Sequence, residues 1–191
     1  MEPCHLVARD LACRRGERVL FARLSLDLHP GEAIEVRGPN GTGKSSLIRI
    51  LAGLARPWSG TVERGGAIAL IDERPALDEH QPLGSALGFW GRVDAGSADL
   101  ARLGLDRLAD VPVRYLSTGQ RKRAAMARLL GQGAPLWLLD EPLNGLDRAA
   151  VAIIETLVAD HCAQGGAALV ASHQPIALPG ARCLDLPAFA R

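Results

Sequence analysis

Lysine is almost missing from this chain of 191 residues: of 22 basic side chains only Lys44 and Lys122 are lysines. The bias reflects composition more than function, but it makes the place of each lysine informative. A surplus of either charge is lacking too, the formal net charge being +1. Near-neutrality removes the electrostatic argument for nucleic acid or an anionic lipid surface, and no nucleic-acid partner is expected. Cys4, Cys13, Cys162 and Cys183 make no CxxC pair and no CxxCH motif, so neither a structural zinc site nor covalently attached haem is expected. They read as free cytosolic thiols. The opening Met1-Glu-Pro-Cys-His5 lacks the basic-then-apolar layout of a signal peptide. No apolar run approaches the ~20 residues that cross a bilayer. If the protein serves a membrane process, it is expected to do so from the water side.

What is present is the composition of a folded domain, 48% hydrophobic and 23% charged. The length fits one domain over residues 1–191, with a sizeable core. Alternation predicts strands over residues 6–13 and 19–28 about a turn at Gly16-Glu17. A short strand at 33–36 runs into a glycine-rich loop, after which Leu47, Ile48, Leu51 and Leu54 recur at helical spacing. Residues 67–71 read as a buried strand. Helical segments are expected at 83–90, 99–105 and 118–130, then a strand at 136–139. A helix faced by Val151, Ile154, Leu157 and Val158 ends at Gly165-Gly166, before a last strand at 167–171. This order predicts an α/β core with a helical arm inserted at about residues 75–133.

The glycine-rich loop carries the sharpest signal. Gly38, Pro39, Asn40, Gly41, Thr42, Gly43, Lys44 and Ser45 read GPNGTGKS, between a strand and a helix, as a phosphate-binding GxxxxGK[ST] loop requires. Glycines let backbone N–H groups curl around phosphate oxygens, and the following helix, with Ser46 in its first turn, adds its positive end. Lys44 reaches terminal phosphates and Ser45 can ligate magnesium. One of only two lysines fills the required slot, which disposes of a chance glycine turn.

A second signal lies at Leu136-Trp-Leu-Leu-Asp140-Glu141. Four apolar residues suit a central strand, and Asp140 at its end would face magnesium, through a water, opposite the phosphate loop. Glu141 stands one step further, placed to polarise an attacking water. Two solvated acids at a strand end are the plain alternative, outweighed by the loop upstream.

Leu116, Ser117, Thr118, Gly119 and Gln120 read LSTGQ at a helix start, and this resembles the ABC signature LSGGQ with Thr118 in place of a glycine. Asn144-Gly-Leu-Asp147 resembles the family's D-loop, and His173 resembles its switch histidine. With the phosphate loop as Walker A and Asp140-Glu141 as Walker B, the set stands in family order over most of the chain. The resemblance implies an ABC-type P-loop nucleotide-binding domain, with an N-terminal antiparallel β part and a short helical arm. It implies ATP and Mg2+ as cofactors, and catalysis by Glu141 with His173. It also implies a head-to-tail homodimer, in which the signature of one subunit closes over ATP on the other. The positive end of the signature helix suits a phosphate. His5, His29, His80 and His161 have no such context and read as structural or exposed.

The chain departs from the family pattern twice. Where many ABC subunits stack adenine on an aromatic, this one has Arg15, either a stacking guanidinium or a charged turn residue. Where the Q-loop glutamine is expected stands Arg74, with Gln81 as a displaced alternative. Several stretches resemble the ATP-binding subunit of the cytochrome c maturation haem exporter, the CcmA family. They are Leu20-Phe21 with Leu24-Ser25-Leu26, Leu51-Ala-Gly-Leu-Ala-Arg-Pro57, Asp110-Val-Pro-Val113, Leu136 to Pro142 and Ser172-His-Gln-Pro175. That resemblance implies integral membrane transporter subunits as partners, on the cytoplasmic face of the bacterial inner membrane. ATP hydrolysis would drive release of a haem-loaded chaperone, and haem would not touch this chain. Export of another cargo such as a lipid or drug fits the same motifs. A soluble ABC protein acting on ribosomes or DNA fits them less well, because such proteins usually carry two cassettes or long insertions.

Overall fold

The computed structural model describes residues 4–72, 75–97 and 99–190. Its strands are β1 (His5–Arg15), β2 (Arg18–Leu28), β3 (Ala33–Arg37), β4 (Ser59–Gly65), β5 (Ile68–Ile71), β6 (Leu136–Asp140), β7 (Ala167–Ser172) and β8 (Arg182–Asp185). The α-helices are α1 (Lys44–Leu51), α2 (Leu83–Asp94), α3 (Thr118–Gln132) and α4 (Arg148–Ala163). β2, β1 and β4 form an antiparallel sheet, while β5-β6-β7-β3-β8 form a parallel one. The two-sheet α/β architecture agrees with the fold class read from the sequence.

The short, wholly buried β6 and β7 are the mark of parallel strands covered on both faces. On one face Leu47, Ile48, Ile50 and Leu51 of α1 pack with Phe21, Leu24 and the inward side of the antiparallel sheet. On the other face Leu83 and Leu87 of α2, Ala124 to Leu129 of α3 and Ile154, Leu157 and Val158 of α4 make a second core. Bulges keep β1 and β2 in register with the first core. Asp10 (φ 49°) and Arg23 (φ 58°) take left-handed backbone where the pairing shifts, so Leu6, Ala8 and Leu11 all stay inside.

Two expectations need correction, and two strands were not foreseen. Leu54 lies beyond the end of α1, past Gly53 at φ 80°, and is exposed rather than part of the helix face. Residues 99–105 do not form a helix. Leu103, Gly104 and Leu105 close turns onto Leu100 and Ala101, and a short 3-10 turn follows at Asp106–Leu108. Burial of both Leu103 and Leu105, two apart, cannot be met by one helical face, and Gly104 at φ 62° turns the chain between them. The strands β4 and β8 carry no buried apolar alternation, and neither was expected. Each is held by pairing to a neighbour rather than by a pattern of its own.

The sheet order decides where the site forms. β7 lies between β6 and β3, all pointing the same way. The phosphate loop after β3, the Asp140-Glu141 pair ending β6 and His173 after β7 therefore emerge at one edge, where α/β sheets bind ligands.

Candidate active site

Backbone geometry shapes the loop first. Gly38, Gly41 and Gly43 sit at φ 155°, 82° and 108°. A Cβ on Gly43 would press on Leu20 and Phe21 at 3.2–3.3 Å, so glycine is demanded there by both conformation and space. Thr42 Oγ1 donates to the Pro39 carbonyl at 2.9 Å, bracing the loop across its mouth. α1 starts at Lys44 with Gly43 as its cap and no side chain on its first N–H groups. Those donors and the helix dipole point into the loop.

Lys44 is buried, and its ammonium donates to the carbonyls of Gly38 at 2.7 Å and Pro39 at 3.3 Å. It also pairs with Glu141 Oε1 at 3.1 Å. The other carboxylate oxygen, Oε2, accepts from the His173 backbone N–H at 3.3 Å and lies 2.8 Å from His173 Nδ1. Burial pushes the Glu141 carboxyl up, but the hydrogen bonds from His173 and Lys44 outweigh it and hold the group below its ordinary value. Glu141 is also one of four non-glycine residues with positive φ among the described residues, at 48°. Such a backbone costs roughly 1–2 kcal/mol and persists where neighbours enforce it. Here its N–H bonds the Ala171 carbonyl at 2.8 Å and its carbonyl accepts from Lys122 Nζ at 2.7 Å.

A cavity of about 510 Å³ opens over the loop. Its walls include Asn40, Gly41, Gly43, Lys44, Ser45 and Ser46, with Glu141 and Asn144 opposite. At its mouth stand Arg15 and Arg18, paired across the β1–β2 hairpin. Arg18 was not singled out from the sequence, and it was legible only through the hairpin register that places it opposite Arg15. Asn144, the first residue of the segment that resembles a D-loop, lines the same cavity. Asp140 is buried at the end of β6. Ser45 in the cavity wall and this buried carboxylate each offer an oxygen donor of the type that hard divalent cations take.

The signature residues do not line this cavity. Ser117 caps α3 in a reciprocal capping box, its Oγ accepting from Gln120 N–H at 3.2 Å while Gln120 Oε1 accepts from Ser117 N–H at 2.8 Å. Leu116 is buried beneath, whereas Ser117 and Thr118 are exposed. Gly119 lies against Gly145, where a Cβ would come 3.2 Å from the carbonyl oxygen. Asp147 caps α4, accepting from Ala150 N–H at 2.8 Å. Gln81 bonds through its backbone to Asp78 and Val113 and stays out of the nucleotide cavity. Arg74 lies outside the described residues.

Among the other histidines, His5 meets Glu63 at 3.3 Å, His80 meets Arg114 at 3.0 Å, and His29 is exposed. His161 stacks on Trp137, with ring centroids 3.8 Å apart. All four cysteines are free thiols, and no helix among the described residues is long and apolar enough to cross a membrane.

The family model described as ABC transporter matches residues 21–144. The chain is 61% identical over 99% of both lengths to the cytochrome c biogenesis ATP-binding export protein CcmA of Novosphingobium aromaticivorans. This chain belongs to the ABC transporter family, in its CcmA branch. The CcmA protein of Sphingopyxis alaskensis is 56% identical, over 91% of this chain and 93% of its own. In fold, this CcmA-type chain is similar to the ATP-binding subunit of an ABC transporter, with a TM-score of 0.78 over 88% of this chain and 79% of that one at 23% identity. As an ABC family member the chain binds nucleotide and is an ATPase.

Proposed function

We propose that this chain is the ATP-hydrolysing subunit of the haem exporter of cytochrome c maturation, docked on the cytoplasmic face of the inner membrane against integral membrane subunits. The near full-length identity to a cytochrome c biogenesis export protein carries the assignment of the complex. The convergence of Lys44, Glu141 and His173 over the phosphate loop carries the assignment of the chemistry.

The loop from Gly38 to Ser46 holds the phosphates through backbone N–H groups and Lys44. Ser45, and Asp140 through a water, would hold magnesium, whose charge would offset that of the phosphates. An arriving γ-phosphate competes for the Lys44 ammonium that otherwise pairs with Glu141. Glu141, so released, orients the attacking water and accepts its proton, while His173 steadies the carboxylate and reaches the γ-phosphate. Arg15 and Arg18 offer planar guanidinium groups to the base in place of an aromatic ring. Ser117 spends an acceptor lone pair on its own helix cap and keeps its O–H for a phosphate of the facing protomer. Two copies arranged head to tail complete two sites, so hydrolysis is tied to closure and closure to movement of the membrane subunits.

The test is Glu141→Gln in the native host. ATP binding is retained, turnover falls by at least about 10²-fold, and c-type cytochromes fail to mature. Near-normal hydrolysis removes Glu141 from this role, and normal cytochromes without hydrolysis remove the chain from the haem complex.

A further inference from the structure

The catalytic glutamate is gripped from an unexpected side. Lys122, the second of the two lysines, lies one turn into α3 beyond Thr118. Its ammonium crosses to the other strand-end and donates to the Glu141 carbonyl oxygen at 2.7 Å. α3 touches the same segment again four residues on. Thr118 packs on Gly145, where an added Cβ would come within 3.3 Å of the threonine methyl, and Gly119 faces the Gly145 carbonyl. One helix thus braces both ends of the turn that carries Glu141.

We infer that Lys122 is a positioning residue that holds the Glu141 peptide in its left-handed pose and thereby aims its carboxylate at the phosphate loop. The geometry supports this on three counts. Glu141 has positive φ without being glycine, a conformation that a chain leaves when it is not held. Its N–H is tied to β7 through Ala171, while its carbonyl accepts from the Asn144 N–H at 3.4 Å and from Lys122 at 2.7 Å, so Lys122 supplies the side-chain hold on that carbonyl. From this backbone setting its carboxylate reaches Lys44 and His173 at 3.1 and 2.8 Å. A further consequence rests on the dimer proposed above. Lys122 rides on the helix whose first turn, Ser117 to Gln120, faces the partner's nucleotide. The bond therefore makes the readiness of Glu141 in one site depend on how its helix sits against the other.

The full-length protein with its membrane subunits is the sample, and wild type, Lys122→Met, Lys122→Arg and Glu141→Gln are compared for ATP affinity, KM, kcat and melting temperature. The methionine keeps the aliphatic stem and helix propensity while removing the donor. Its ATP affinity and KM stay within about twofold of wild type while kcat falls about tenfold or more, as a misplaced catalytic group demands. Arginine, which also donates to a carbonyl, restores most of kcat. A methionine variant with wild-type kcat, or an arginine variant as slow as the methionine one, overturns the inference. So does a loss of ATP affinity that matches the loss of kcat. If Lys122→Met unfolds, Lys122→Gln, with a shorter amide donor, is read by the same criteria. Glu141→Gln separates the two levels: if it is inactive while Lys122→Met is active, only the inference fails; if it is itself active, the role of Glu141 fails and the inference with it.

Discussion

At the scale of single residues, Glu141 combines the catalytic task proposed for it with a titration that has a stability sign. Its folded-state acidity is held below the ordinary value by His173 and Lys44 against the push of burial. A carboxyl depressed on folding contributes stability that is fully present above the unfolded value and is lost as pH falls through the lower folded value. Glu141→Gln should therefore lower the melting temperature at neutral pH by more than it does in acid, so that the two proteins' curves converge as pH drops. Parallel curves would mean that the pair with Lys44 and His173 adds no net stability. Gly60 tests backbone demand away from the site. It sits at φ 91°, and a Cβ there would come 2.4 Å from the Arg9 carbonyl and 2.6 Å from that of Asp10. Gly60→Ala must strain the junction of β1 and β4, at a cost of about 1–3 kcal/mol read from the urea midpoint.

At the scale of elements, the first core depends on α1, whose Leu47 is fully buried between the two sheets. Leu47→Ala removes that contact and leaves a cavity, costing roughly 2–5 kcal/mol. Because α1 also presents the N–H groups of the phosphate loop, ATP affinity should fall together with the melting temperature. The pairing of β6 with α4 has its own pH signature. His161 stacks on Trp137 and lies 3.1 Å from the Pro135 carbonyl oxygen. Burial pushes its imidazole down against the smaller opposing effect of the Pro135 and Ala167 backbone. A histidine buried neutral contributes stability present above the unfolded value of about 6.5 and lost as pH falls through the folded one. His161→Phe keeps a stacking ring without the titration, and its melting temperature should be less sensitive to pH below neutrality than that of wild type.

At the scale of the whole molecule, the placing of the signature away from its own nucleotide cavity is what makes a two-chain enzyme testable. In the proposed head-to-tail dimer, Lys44→Ala should disable a phosphate loop and Ser117→Arg a signature, leaving each variant inactive by itself. A mixed dimer contains one composite site with an intact loop from the serine variant and an intact signature from the lysine variant. Mixing the two should restore part of the ATPase rate. No recovery on mixing, with dimers present by sedimentation, would place the whole site within one chain.

The sequence by itself determined the local parts of this protein. The phosphate loop and the Walker B acids are contiguous motifs whose chemistry is set by neighbours a few residues away. The buried strands β6 and β7 announce themselves as short apolar runs, and α4 by the helical period of Val151, Ile154, Leu157 and Val158. Tertiary structure alone decided the rest. The Lys122 bond to Glu141 spans 19 residues, the His173 contact spans 32, and the Arg15–Arg18 mouth lies over a loop more than twenty residues downstream. Each depends on β7 threading between β3 and β6 and on bulges that set the first hairpin's register. Even β4 and β8 exist only because a neighbour offers them backbone partners. Propensity and motif spacing act over a turn of helix or a few strand residues, whereas the pairing of distant strand ends is chosen by burial of the whole sheet.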